Sequence, residues 1–241
     1  MMVACTTVPI TGRRQLNLVS DAQMQSLSYD AYDQFLKENK LSRDAQATAM
    51  VKRTGQRIQR AVEQYMAANN MSDQLQGFQW EHNLIEDDQV NAWAMANGCI
   101  RVYAGLMDKM NDDELRGVIG HEMGHVELGH SKKAMQTAYG LSAARDAAAA
   151  TGNGVVAQLN SSQLGELSEA FLNAQFSQSQ ESDADDYSFE LLTERKLKTQ
   201  GLVSAFEKLA ALDGGESSVM SSHPGSKERA QRMQQRIDAA K

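Results

Sequence analysis

The residue pattern predicts a predominantly helical α+β fold with one small antiparallel sheet of two to four strands. Apolar residues recur at helical spacing over residues 21–40 and 43–69. An Asn-Gly dipeptide sits between two strand-like runs, and helical patterns account for most of the chain beyond Gly105.

Taken in order, residues 1–20 contain Pro9, Gly12 and Arg13-Arg14 without periodicity, and are expected to form an N-terminal tail ahead of one domain spanning 21–241. A first helix is expected from Ser20 or Asp21, with Leu27, Ala31 and Phe35 at four-residue steps. A longer helix follows over 43–69, carrying Met50, Ile58, Val62, Tyr65 and Met66. Phe78, Trp80, His82 and Leu84 alternate with polar residues, the period of a half-buried strand, and His82 is expected to be structural. Next comes a hairpin in which Asn91-Ala-Trp-Ala-Met-Ala96 meets Asn97-Gly98 and then Cys99-Ile-Arg-Val-Tyr103. Both turn residues tolerate positive φ. Strand alternation would point Ile100 and Val102 to the core and Cys99, Arg101 and Tyr103 the other way.

Composition bounds the chemistry. The chain has 241 residues, 41% hydrophobic and 23% charged, with only two prolines. That length buries a core without disulfide staples and excludes collagen-like and charge-rich disordered classes. Aromatics make up 6% against thirteen methionines, so the core is expected to be aliphatic and Met-filled. With 24 basic and 31 acidic residues and a net charge of −7, the chain lacks a basic stripe, and nucleic acid is not an expected partner. Two cysteines, Cys5 and Cys99, supply neither a disulfide framework nor a cysteine-based metal site. The Ala-rich stretch 141–159 holds Arg145, Asp146 and two glycines and does not read as a membrane span.

The segment Asn111-Asp-Asp-Glu114 through His121-Glu122-Met-Gly-His125 to Gly129-His130 carries the chemistry. Asn111 with Glu114 forms a capping-box pattern, Asp112 and Asp113 suit the positive end of the helix dipole, and Gly129 suits a C-terminal stop. Two imidazoles at i and i+4 point to one side and can grip one metal ion, with Glu122 placed to take a proton from activated water. Gly117, Gly120 and Gly124 each cost the helix about 1 kcal/mol relative to alanine, which close approach of another backbone would explain. A metzincin-type third histidine would need Gly at 128 and His at 131, where the chain has Leu128 and Ser131. His130 is therefore expected as a helix-end residue favouring the dipole. A better third ligand is Glu181, with Asp185 one helical turn on as acceptor for a ligating histidine's free N–H. On spacing alone, a solvated acidic face is an equal reading.

The chain resembles the gluzincin metallopeptidases, the family of the CAAX prenyl peptidases and HtpX-type heat-shock proteases, and within it the soluble bacterial lipoprotein peptidases. The resemblance rests on His121-Glu122-x-x-His125, Glu181-x-x-x-Asp185, Asn91-Ala92-Trp93-Ala94, and His223-Pro224 with Arg229, four motifs in order over about residues 80–230. Met95-Ala96-Asn97-Gly98 departs from the Pro-Gly-Gly of many relatives but makes the same tight turn. The resemblance implies a zincin-like metallopeptidase domain with its sheet beside the His-Glu helix. It implies one Zn²⁺ per chain on His121, His125 and Glu181, with Glu122 as general base. Asp185 and Arg229 would support the ligands, and His223 would stabilise the oxyanion. The strand Asn91, Ala92, Trp93 and Ala94 would be an exposed edge that pairs with extended peptide substrates by main-chain hydrogen bonds, a mode that favours broad endopeptidase specificity. Unfolded or damaged bacterial envelope proteins are the implied substrates. Small residues before Cys5 look like the end of a lipoprotein signal. The expectation is an outer-membrane lipoprotein in the periplasm, anchored by lipid on Cys5 with no transmembrane helix, its upstream signal trimmed.

Two alternatives stay open on sequence. One is a non-catalytic, chaperone-like lipoprotein with structural zinc, against which Glu122 argues, since a structural site has no use for a base. The other is a different zinc hydrolase such as an aminopeptidase. A lid over residues 152–163 is suggested by Gly152-Asn153-Gly154 beside the Ala-rich stretch.

Overall fold

The computed structural model describes residues 4–7, 10, 12, 14–17, 20–149, 160–212 and 222–240, with 4–6, 14–17 and 141–149 described by backbone alone. The strands are β1 (Ala4–Thr7), β2 (Arg14–Asn17), β3 (His82–Ile85), β4 (Ala92–Ala94) and β5 (Ile100–Tyr103). The helices are α1 (Asp21–Glu38), α2 (Ala45–Ala68), the single turn α3 (Ala104–Met107), α4 (Asp112–Glu127), α5 (His130–Ala149), α6 (Ser161–Leu172), α7 (Gln178–Glu194), α8 (Gln200–Ala211) and α9 (Ser226–Ala239).

The first two long helices begin where the sequence places them. Ser20 caps α1 in a reciprocal capping box with Gln23, and the Asp44 carboxylate accepts from the main-chain N–H groups of Gln46 and Ala47 at the start of α2. Within the N-terminal segment, β1 and β2 pair antiparallel, with Cys5 opposite Leu16. One expectation is corrected. The main sheet is mixed rather than antiparallel. Its order is β3-β5-β4, with β4 antiparallel and β3 parallel to β5. Parallel neighbours cannot be joined by a tight turn, and here the connection from β3 to β5 runs out through β4 before returning. At the hairpin, Gly98 takes φ +83°, while Asn97 contributes its side-chain oxygen as acceptor for the Cys99 N–H.

The alternation along β5 falls as expected, but both faces are buried. Ile100 and Val102 join Leu84, Ala92 and Ala94 in a cluster with α2, α4, α7 and α8. Cys99 and Tyr103 join Ile85, Trp93 and Met95 in a second cluster with α1, α5 and α6. The sheet is thus a middle layer, and Arg101, which sequence assigns to the outer side, is fully buried. Its guanidinium lies 3.3 Å from the centre of the Tyr32 ring, where cation–π attraction replaces part of its lost hydration. Burial lowers its pKa to about 8.

Helix α4 runs through the middle of the first cluster, and its glycines are explained by contact. A Cβ on Gly117 would stand 2.7 Å from Leu202 Cα in α8, and one on Gly124 would stand 2.9 Å from the Ala184 carbonyl oxygen in α7. One on Gly120 would meet Ser188 Oγ at 2.6 Å. Backbone cannot yield as a flexible side chain can, so these positions let α7 and α8 lie directly on α4. The acidic first turn does more than face the helix dipole: Asp112 accepts from Thr54 in α2, Asp113 pairs with Lys198, and Glu114 pairs with Lys208 in α8.

His82 is structural, as expected. It is 7% exposed, its ring packs directly on Gly55 of α2, and burial lowers its pKa to about 4. Both states are neutral above pH 6.5, so it has no effect there. Between 6.5 and 4 the unfolded chain gains a proton that the folded one refuses, and stability falls with pH. The full loss is about 3 kcal/mol. Urea unfolding at pH 7 and 4.5 is expected to show His82→Gln losing roughly 2 kcal/mol less than wild type over that interval; equal losses would assign the acid sensitivity elsewhere.

Candidate active site

The capping box at Asn111 starts α4 as expected, with Asn111 accepting from Asp113 and Glu114 and the Glu114 carboxylate accepting from the Asn111 N–H. His121 and His125 therefore project from one side, and their Nε2 atoms stand 3.1 Å apart. Ser177 starts α7 with a capping box of its own, placing Glu181 in the first turn. Glu181 Oε1 lies 3.2 Å from His125 Nε2, and Oε2 lies 3.4 Å from His121 Nε2. The His223 ring completes the group, with Nδ1 3.0 Å from Glu181 Oε1 and 3.3 Å from His121 Nε2. One donor atom from each of these four residues falls within 4.8 Å of all the others, so they could hold one metal ion. None of the four is more than 3% exposed.

The surroundings fit a zinc ion. Two imidazoles and a carboxylate form a donor set used by zinc hydrolases. Asp185 Oδ1 stands 2.9 Å from His121 Nδ1, so that nitrogen donates and Nε2 is left with its lone pair toward the cluster. Asp185 is itself gripped by Arg229 through two bonds, from Nε to Oδ2 at 2.9 Å and from Nη2 to Oδ1 at 2.7 Å. Arg229 Nη1 also lies 2.5 Å from Glu181 Oε2, and the guanidinium rests 4.1 Å over the Phe206 ring.

These charges set the ionisation of the site. Burial works against the charged form of Glu181, but His223 and His121 outweigh it and hold its pKa far below the usual range. Asp185 is likewise lowered, with Arg229 and His121 overcoming burial. Glu122 goes the other way. Burial raises its pKa, partly offset by His223 and His121, and its Oε1 lies 3.6 Å from His223 Nε2. A carboxylate pushed toward neutrality is matched to accepting and returning a proton near neutral pH.

The sheet edge lies beside this group. The outer side of β3 is occupied by residues 40–42, through bonds from Ser42 N to Leu84 O and from Glu86 N to Lys40 O. The other edge is β4, and Asn91, Ala92, Trp93 and Ala94 line one narrow cleft with Glu122, His223, Phe171 and Phe176. Asn91 O accepts from Tyr103 N and Met95 N donates to Cys99 O, so the alternate residues Ala92 and Ala94 turn their amide groups away from β5. The expected exposed strand is corrected in one respect: it is an edge in pairing but is covered, none of the four residues exceeding 7% exposure. Helices α5 and α6 provide cover, Ser131 Oγ donating to Ala94 O and the Phe171 ring packing edge-on to Trp93, and the chain after α6 closes over the histidines. Phe176 stacks on His125 with ring centres 3.9 Å apart, and its N–H donates to Ser222 O beside His223.

Sequence reasoning did not find Phe176, and it placed His130 wrongly. Helix α4 stops with Leu128 at the cap and Gly129 at φ +73°, and His130 is the first residue of α5 rather than the last of α4. The change of direction carries its Nδ1 to 3.0 Å from His125 Nδ1, where it orients the imidazole from behind. Gly129 was the available signal, since a left-handed stop redirects the chain at once. Cys5 lies in β1 and its side chain is outside the described residues, while Cys99 is a buried free thiol donating to Gln79 O. Of the suggested lid, residues 152–159 lie outside the described residues, and Asn160 and Gln163 cap α6.

The profile of Peptidase family M48 matches residues 52–237. The chain is 52% identical to metalloprotease YcaL of Escherichia coli (strain K12) over 175 residues, covering 72% of this chain and 68% of that protein. It is 53% identical to metalloprotease LoiP of the same strain over 173 residues, covering 71% and 68%. A more distant relative is the mitochondrial metalloendopeptidase OMA1 of Schizosaccharomyces pombe, 26% identical over 243 residues and covering 97% and 66%.

Proposed function

Because the chain belongs to Peptidase family M48 and is a zinc-dependent endopeptidase, we propose that it degrades unfolded or damaged proteins of a bacterial envelope, tethered there by lipid on Cys5. The observation that carries the chemistry is the convergence of His121, His125 and Glu181 on one point, with Glu122 beside it in the cleft that β4 lines. His121, His125 and Glu181 are the zinc ligands in this reading. Zinc, when bound, lowers the pKa of water toward 7 and polarises the scissile carbonyl.

The remaining work falls to side chains. Glu122 takes the proton from the attacking water and passes it to the departing amide nitrogen, and its burial keeps that proton in reach. His223, whose Nε2 faces Glu122, donates to the oxyanion that develops on the carbonyl oxygen. Asp185 fixes the tautomer of His121, and Arg229 holds Asp185 and Glu181 in place. Ala92 offers its outward main-chain groups and Ala94 its N–H to an extended substrate, the Ala94 carbonyl already accepting from Ser131 Oγ, so recognition reads backbone first. Phe176 must leave the face of His125 for a peptide to lie along β4.

Two substitutions test this. Glu122→Gln must abolish hydrolysis of an unfolded protein. With the chain expressed behind a lipoprotein signal, wild type is expected to incorporate labelled palmitate and sediment with membranes, and Cys5→Ala to do neither. Membrane association that survives Cys5→Ala would overturn the anchor while leaving the peptidase intact. No helix among the described residues is long and apolar enough to cross a membrane.

A further inference from the structure

The cleft beside Glu122 does not end at β4. Asn91 and Leu172 line it, and the same two residues line a second, open groove of about 540 Å³ between the end of α1, the β3–β4 connection and α6. Four carboxylates face this groove: Glu38, Asp87, Glu166 and Glu169. Glu38 accepts from the Gln34 side chain and Asp87 from the Gln89 main chain. None of the four pairs with a lysine or arginine among the described residues. Around α4 and α7, by contrast, acidic side chains are matched, as Asp113 is by Lys198 and Asp186 by Arg232.

A second observation is independent of the charge. Asn91 stands in the wall common to both spaces, is 7% exposed, and its Oδ1 is buried with no hydrogen-bond partner. A buried carbonyl oxygen left unpaired forfeits its hydration without replacement, a loss that a donor arriving with a ligand removes. Among the described residues, Asn91 Oδ1 at the junction thus lacks a donor, and the groove beyond it lacks a cation.

From this we infer that the groove is a substrate subsite for lysine or arginine side chains, entered past Asn91 by the part of the peptide that continues beyond β4. The inference rests on the peptidase reading of the neighbouring cleft and adds the class of substrate that cleft prefers. Antiparallel pairing is the more stable arrangement per residue. A substrate so paired with β4 passes Ala94 first and Asn91 afterwards, so the basic residue lies on the C-terminal side of the cut. Single exposed ion pairs contribute little, and the set supports a preference of about three- to tenfold that salt near 0.5 M should largely erase.

The test has two arms. A proteome-derived peptide library is digested with wild type and with the triple variant E38Q/E166Q/E169Q, whose positions are all exposed, and the cuts are read by mass spectrometry. Lys and Arg are expected to be enriched about three- to tenfold within a few residues after the cut, not before it, and the triple variant should lose the enrichment. Separately, two fluorescent peptides that differ only in carrying lysines or glutamates are titrated against E122Q protein by anisotropy. The lysine peptide should bind tighter by the same factor at low salt. No enrichment, enrichment on both sides of the cut, or enrichment untouched by the triple variant would overturn the subsite. A wild type that cuts nothing would sink the peptidase reading instead, and the anisotropy comparison would still decide the groove: equal affinities reject it.

Discussion

Glu122→Gln protein is expected to leave casein intact while carrying zinc at the wild-type level. The amide keeps the size of the side chain and its place in the cleft but cannot accept a proton. Removal of a positioned general base costs about 10²- to 10⁴-fold in rate. Because burial raises the Glu122 pKa and the carboxylate faces His223 Nε2 across 3.6 Å, the substitution removes the group best placed to hold the proton between attack and departure. The measurement pairs release of acid-soluble peptides with metal content by mass spectrometry. Turnover within tenfold of wild type would remove Glu122 from the role of base. Loss of zinc together with turnover would move it into the ligand set, and the four-residue donor group of His121, His125, Glu181 and His223 would need redrawing.

The second large effect is on stability. Arg229→Met is expected to destabilise the metal-free protein by about 3–5 kcal/mol, because it strands two buried carboxylates that Arg229 bridges. Asp185 is fully buried and Glu181 is 1% exposed, and Arg229 reaches both. Domains of this kind are held by roughly 5–15 kcal/mol in total, so the variant should unfold at visibly lower urea. Arg229→Lys restores charge without the two-pronged grip and should fall between the two. A Met variant within 1 kcal/mol of wild type would mean that the carboxylates protonate at no real cost, and that Arg229 serves the site by position only.

How far the chain could be read without its structure follows from where each interaction lies along it. His121, Glu122 and His125 share one helix, and helical geometry converts their spacing directly into a common side. The capping box at Asn111 and the turn at Asn97-Gly98 are equally local and were legible for the same reason. The three glycines of α4 announced a close neighbour, though which helix would come close was not written nearby. Glu181 is different. Sixty residues from the histidines, it was indistinguishable by spacing from a solvated acid, and the resemblance to a family singled it out.

Other features depend on which elements meet. A strand that alternates Ile100, Arg101, Val102 and Tyr103 reads as half-buried, because period two reveals that its faces differ and says nothing of what covers the second one. Helix α1 covers it, and Arg101 survives there on the Tyr32 ring. The parallel pairing of β3 with β5 depends on which edge of β5 was still open, a choice outside either strand. His130 turned toward His125 because Gly129 ended one helix and allowed the next to start at an angle, so a residue expected at the end of α4 became its closest support. Chemistry set by neighbours three or four residues apart could be read from the order of residues. The cover of His125 by Phe176, the grip of Arg229 on two carboxylates and the acidic groove past Asn91 join segments tens of residues apart, and only packing brings such segments to the same place.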